Sequence, residues 1–222
     1  MAIIVGDIHG DVEKVQAFLS YRPEAEHVAL GDYLDSFHEP VESQMEGLNL
    51  LMASDAVLLL GNHEAHYLED PLFMFPGYSE SNARLFRPLL EKNISRFRAA
   101  HVVDGWLCTH AGVIGEIAGD DDIETIAERI NRGWSDYLKD RASEFIYSSV
   151  FFYNVLFEGE LIARDIPQIF GHVEFQNPVR ENSYLALDTT NFTNSCWMYD
   201  TERAQLVKWQ MKPRPERVRW WL

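Results

Sequence analysis

Short apolar runs, each cut off by glycine and a polar residue, punctuate this chain. The run AIIV, Ala2–Val5, breaks at Gly6 and reads as a buried strand. Asp11 is placed to N-cap the next segment, 12–21, where Val12, Val15, Phe18 and Leu19 recur at helical spacing. Residues 27–30 read as a second strand, 39–53 as a helix and 56–60 as a third strand. This alternation predicts right-handed crossovers and a largely parallel sheet, so the fold class is α/β. Further on, Trp106–Thr109 and Gln168–Phe170 read as strands and 123–138 as a helix, with Gly133 weakening its end. Stretches 184–188, 195–199 and 204–209 alternate polar and apolar residues in the manner of antiparallel strands. Residues 70–98, rich in Pro, Phe and Arg, and 112–154 read as insertions in one domain spanning 1–222.

Composition narrows the class. No apolar run approaches the length of a membrane span, and the polar GDIHG follows the first strand at once, unlike a signal peptide. Two cysteines, Cys108 and Cys196, make no disulfide framework and fit a reducing, cytoplasmic setting. A net charge of −16 repels polyanions and argues against general nucleic-acid binding. It also means that phosphate chemistry here needs a local positive charge, which bound metal ions supply. The tail departs from this average: Lys208, Lys212, Arg214, Arg217 and Arg219 stand against Glu216, with Trp209, Trp220 and Trp221. It reads as a strand and tail packing back on the domain, with a docking segment as the alternative.

The polar residues gather where the strands end. Five predicted strands run into the turns GDIHG, GDYLD, GNHE, THAG and GHVE. In an open α/β sheet ligands bind at the carboxyl ends of the strands, so such loops can converge on one point. Aspartate, histidine and asparagine without thiolate suit manganese, iron or zinc and argue against a structural zinc site. Any one of these turns alone is ordinary turn or capping chemistry; five in order, each after an apolar strand, are not explained that way.

With these residues in view the chain resembles the calcineurin-like metallophosphoesterases, nearest to their phosphoprotein-phosphatase branch. The segments carrying the resemblance are Gly6-Asp7-Ile8-His9-Gly10, Gly31-Asp32-Tyr33-Leu34-Asp35, Gly61-Asn62-His63-Glu64, His110-Ala111-Gly112, Gly171-His172 and Leu185-Ala186-Leu187-Asp188-Thr189. The resemblance implies a four-layer α/β/β/α sandwich with a dinuclear metal site at the carboxyl ends of the strands. It implies two divalent ions, manganese first, with iron or zinc as alternatives. Asp7 and His9 would bind one ion, Asp32 would bridge, and Asn62, His110 and His172 would bind the other. His63 would act as general acid, oriented by Asp35, while hydroxide bridging the ions attacks phosphorus. Glu64 would cap the following helix or support the loop rather than take part.

The chain also departs from that branch. Ser36 and Leu60 stand where the branch usually has arginine, and a loose alignment puts Asn154 near a third arginine position. Arg132 and Arg164 are alternatives there, and Arg84, Arg87, Arg96 and Arg98 could supply substitute contacts, although solvated helix-face charges are the plainer reading. Losing arginine forks removes bidentate phosphate contacts. The expected partner is a phosphorylated protein or small molecule, hydrolysed as a monoester. A dinucleoside polyphosphate or a phosphodiester remains an alternative, with aromatic residues Phe73, Phe75 and Tyr78 available to stack on a base.

Overall fold

A computed structural model describes residues 1–211 except 37, 72, 76, 142–143, 159–160, 182 and 190–194. The basic tail beyond residue 211 lies outside the described residues; Lys208 lies within them, its ammonium 5.2 Å from the centre of the Trp197 ring.

The chain opens with β1 (Ala2–Val5), α1 (Val12–Ser20), β2 (Glu26–Ala29), α2 (Val41–Ala53), β3 (Val57–Leu59) and the single turn α3 (Asn62–Ala65). Then come α4 (Glu80–Lys92), β4 (Phe97–Arg98), β5 (Ala100–Val103), β6 (Trp106–Thr109), α5 (Gly115–Ala118), α6 (Ile123–Lys139) and α7 (Val155–Glu158). The last third holds β7 (Gln168–Phe170), β8 (Val179–Glu181), β9 (Tyr184–Ala186), β10 (Ser195–Asp200) and β11 (Gln205–Gln210).

Two sheets result. The first runs β11-β10-β1-β2-β3-β4 and the second β5-β6-β7-β9-β8. Strands β1 to β4 are parallel, as the alternation predicts, and β10 and β11 add an antiparallel edge. The stretch expected to be antiparallel at 184–188 is corrected in part: β9 is parallel to β7 and antiparallel only to β8. All three of its residues are buried, so it has no solvent face to set an alternation.

Strand side chains alternate faces, and that period of two builds the layers. Ala2, Ile4, Val28, Leu30 and Leu59 of the first sheet and its ends meet Cys108, Ile169, Leu185 and Leu187 of the second. The residues between them, Ile3, Val5, Ala29 and Leu58, turn outward onto Val15 and Phe18 of α1 and Leu48 and Leu51 of α2. Leu107 of β6 turns outward as well, in one apolar cluster with Ile126 and Ile130 of α6. The order is therefore helices, sheet, sheet, helices. Each fully buried Phe or Leu contributes about 1.5–3 kcal/mol relative to exposure.

Helix α1 is capped as expected, the Asp11 carboxylate accepting from the Lys14 N–H at 3.1 Å. Gly133 does not end α6. A Cβ there would meet the Tyr147 ring at 2.9 Å, so glycine allows that ring to lie on the helix. The stretch 70–98, read as an insertion, contains the regular helix α4, whose Ala83, Phe86 and Leu90 are buried.

Candidate metal centre

The five turns meet at one end of the two sheets. The backbone N–H groups of Ile8 and His9 donate to the Asp32 carbonyl at 3.0 and 2.8 Å, and Gly10 donates to the Tyr33 carbonyl at 2.7 Å. The turn after β1 is thus laced to the turn after β2. From the second sheet, the His172 N–H donates to both Asp7 carboxylate oxygens, at 3.0 and 3.1 Å. The His63 N–H donates to Asp32 Oδ1 at 3.0 Å.

Side chains converge accordingly. Ligand-type atoms of Asp7, His9 and Asp32 lie within 4.8 Å of one another, as do those of Asp32, His110 and His172, so Asp32 belongs to both groups. Asn62 joins the second group: its Oδ1 is 2.9 Å from His110 Nε2 and 2.8 Å from His172 Nδ1. All six candidate ligands are therefore brought together. Two tautomers follow from the outward bonds. Nδ1 of His9 donates to the Leu34 carbonyl and Nδ1 of His110 to the Leu30 carbonyl, each at 2.9 Å, which turns Nε2 of both rings toward the site.

The backbone is bent to make this possible. His9, Asp32, Asp35 and His172 all have positive φ, 47°, 50°, 58° and 64°. Such conformations cost non-glycine residues energy and persist only where surrounding bonds over-determine them. Two glycines set the approach: a Cβ on Gly61 would sit 2.1 Å from Asp32 Oδ1, and one on Gly171 2.1 Å from Asp7 Oδ1.

The electrostatics fit a cation. Asp7, Asp32 and Asp188 are all buried. Burial pushes the Asp7 carboxyl well above its ordinary value, and the Asp188 and Asp32 carboxylates push it further. Asp32 shifts the other way: burial raises it, but His110, His63 and His9 outweigh that and hold it well below. Burial, helped by the neighbouring His110, drives His172 down to about 3, so this ring is neutral and has a lone pair to give. Burial lowers His9 too, against the pull of Asp32. Burial lowers His110 as well, but the Asp32 carboxylate outweighs it and raises this ring. Imidazoles beside crowded carboxylates, with an amide oxygen and no sulfur, form a donor set suited to a divalent ion such as manganese, iron or zinc.

Beside this set, Nδ1 of His63 donates to Asp35 Oδ2 at 2.9 Å, and His63 Nε2 is 4.0 Å from Asp32 Oδ2. Burial lowers the His63 pKa, but Asp32 and then Asp35 raise it, to about 9. Glu64 is wholly buried and takes the role expected of it: its carboxylate accepts from the N–H groups of Asp32, Tyr33, Leu34 and Gly61. Two further residues, absent from the sequence reading, belong here. His66 Nε2 lies 2.6 Å from Asp35 Oδ2, and the Tyr67 hydroxyl donates to Asp35 Oδ1. A signal for them exists: His63, His66 and Tyr67 are three and four residues apart, on one face of a helical turn.

Most of the arginines considered as substitute phosphate contacts are otherwise engaged. Arg87 donates to the Tyr67 carbonyl at 3.0 Å, and Arg96 to the carbonyls of Met52, Ser54 and Ala56. Arg98 pairs with His101 Nδ1 at 3.1 Å. Arg84 is exposed on α4, and Asn154 Oδ1 accepts from the Leu156 N–H at 3.0 Å.

Facing sheets that bring aspartates and histidines to one polar centre define a metal-dependent phosphoesterase architecture. The family model of the calcineurin-like phosphoesterases matches residues 2–181, and the chain belongs to that family of hydrolases. It is similar to a protein phosphatase 2A catalytic subunit of Dictyostelium discoideum, with 28% identity over 157 residues, covering 62% of this chain and 49% of the relative. The chain thus spans about half the length of that curated relative. Its fold is similar to a protein serine/threonine phosphatase from Saccharomyces cerevisiae, with a TM-score of 0.51 and 11% identity over 97% of this chain and 81% of that one.

Proposed function

We propose that this chain hydrolyses phosphate monoesters of a phosphoprotein or a small phosphorylated molecule, using two divalent ions, manganese foremost. Asp7, His9 and Asp32 would hold one ion and Asp32, Asn62, His110 and His172 the other. The observation that carries the reading is Asp32, whose carboxylate belongs to both ligand groups while His63 stands beside it. When bound, such ions supply Lewis acidity, making a water acidic near neutral pH and offsetting charge on phosphoryl oxygens.

The protein's own groups do the rest. Asp35 fixes the His63 ring with its Nδ1–H bonded, which leaves Nε2 as the proton donor. Water adds its oxygen to phosphorus, the ester P–O bond breaks, and the leaving oxygen takes the proton from His63 Nε2. Water's lost proton passes to solvent, which reprotonates the ring. The hydrogen bond to Asp35 favours the protonated ring, the form an acid needs. The two cysteines are free and buried, which suits the cytoplasm assigned to the protein in this reading.

A manganese-supplemented panel of phosphopeptides, mononucleotides, sugar phosphates and dinucleotides tests the proposal, with Asp32→Ala as the blank. Monoester turnover is expected, and His63→Asn should slow it by about 10²–10⁴-fold. Equal turnover by wild type and the Asp32→Ala blank sinks it.

One observation favours a second reading, hydrolysis of a dinucleoside polyphosphate. Phe73 lies 4.8 Å from Phe75 and 5.2 Å from the partly exposed Phe152, ring to ring. A Cβ on Gly77 would lie 3.5 Å from His63 Cε1, so the stretch that carries Phe73 and Phe75 comes close to the centre, where a base could stack. Far faster turnover of a dinucleoside tetraphosphate than of any monoester would select it.

A further inference from the structure

Asp35 holds more than His63. Its Oδ2 accepts from His63 Nδ1 at 2.9 Å and has His66 Nε2 beside it at 2.6 Å, a close charge contact outside hydrogen-bond geometry, and its Oδ1 takes the Tyr67 hydroxyl. A carboxylate with one ring partner can swivel about its Cβ–Cγ bond. Donors on both oxygens remove that freedom. The Tyr67 donor and the neighbouring His66 ring are themselves held: neither residue has exposed surface. The Tyr67 ring packs edge-on against Phe86 at 5.2 Å and stacks on Tyr78 at 5.4 Å. The His66 ring meets Tyr67 edge-on at 4.3 Å. The backbone delivers both at fixed distance from His63, because the His66 N–H donates to the Asn62 carbonyl and the Tyr67 N–H to the Glu64 carbonyl, continuing the turn of α3.

We infer that His66 and Tyr67 are positioning residues: they lock the Asp35 carboxylate, and through it aim the His63 imidazole at the leaving oxygen. The inference rests on the reading of His63 as the acid of a phosphoesterase. A misaimed ring still lies in the site but delivers its proton poorly, so the loss falls on esters whose leaving group needs a proton. An alkoxide needs it; a nitrophenolate, already a stable anion, needs it far less.

Two measurements test this on the full chain. With ring-15N-labelled histidine, the Nδ1–H of His63 should give a protected downfield resonance, assigned by its absence in His63→Asn. In Tyr67→Phe, which removes one oxygen atom, and in His66→Gln, that resonance should broaden or vanish through faster exchange. In parallel, the alkyl-to-aryl ratio of kcat for phosphate monoesters should fall about tenfold in each variant, with KM held. In a His63→Asn background neither substitution should lower the ratio further. A resonance as protected in both variants as in wild type overturns the inference, as does an equal fall for alkyl and aryl esters. If wild type hydrolyses neither ester with manganese, the phosphoesterase reading falls, while the exchange data still decide the positioning.

Discussion

The Glu64 carboxylate accepts the Asp32 backbone N–H at 2.9 Å, so a buried side chain outside the ligand set holds the loop that presents the shared carboxylate. Its second oxygen accepts from Tyr33 at 2.8 Å and Leu34 at 3.1 Å. Burial and the nearby Asp32 raise the Glu64 pKa to about 7.

Glu64→Gln is therefore not a mild change. It turns an NH2 group toward backbone N–H donors, leaving buried donors unpaired. A buried donor left unpaired costs about 1–3 kcal/mol, so a loss on the order of 3 kcal/mol is expected in a denaturant titration. An unchanged midpoint would show that the loop holds itself.

Gly61→Ala and Gly171→Ala should empty the centre without removing a ligand. Each added methyl would lie 2.1 Å from a carboxylate oxygen, of Asp32 and Asp7 respectively. Metal analysis after dialysis against manganese should find both variants depleted relative to wild type; full occupancy would contradict the proposed ligand set.

Asp7→Asn should separate stability from function. Asp7 is buried and crowded by Asp188 and Asp32, so neutralising it relieves repulsion in the stripped protein. With chelator present, the variant should melt above wild type. With manganese the order should reverse, because an ion at 100 times its Kd stabilises by about 2.7 kcal/mol. A variant that melts below wild type in chelator would show the carboxylates are not strained.

Acid should expose a different pair. Burial raises the Asp200 carboxyl, but the Arg203 N–H and the Arg22 guanidinium, whose Nη1 is 3.0 Å from Asp200 Oδ2, outweigh it and hold it below the usual carboxylate range. A depressed native pKa gives stability that is complete above the unfolded value of about 3.9 and lost as pH falls through the native one. Arg22→Met should therefore melt several degrees below wild type at neutral pH, and the gap should close in acid. A gap independent of pH would assign it to packing.

The strands and the turns that carry the candidate ligands were legible because each apolar run stops at a glycine followed by a polar residue, as at Gly6-Asp7 and Gly61-Asn62. Other elements left weaker marks. β8 has one apolar residue in three, and α4 carries Pro88 inside it, yet its buried Ala83, Phe86 and Leu90 hold it helical. His66 and Tyr67 went unread because their partner, Asp35, lies in another turn, and only folding joins them. The positive φ of Asp32 and His172 suits residue types that tolerate it better than most, but many aspartates and histidines of this chain do not adopt it, so the type alone does not mark the bend.

Asp7, His9, Asp32 and Asn62 ride on the first sheet, whereas His110 and His172 ride on the second. Ions gripped by both sets would act as a clasp across the seam. Chelation should then be felt far beyond the pocket, as faster amide exchange along the facing strands, and the cofactor would serve as a strut of the sandwich as well as its reagent.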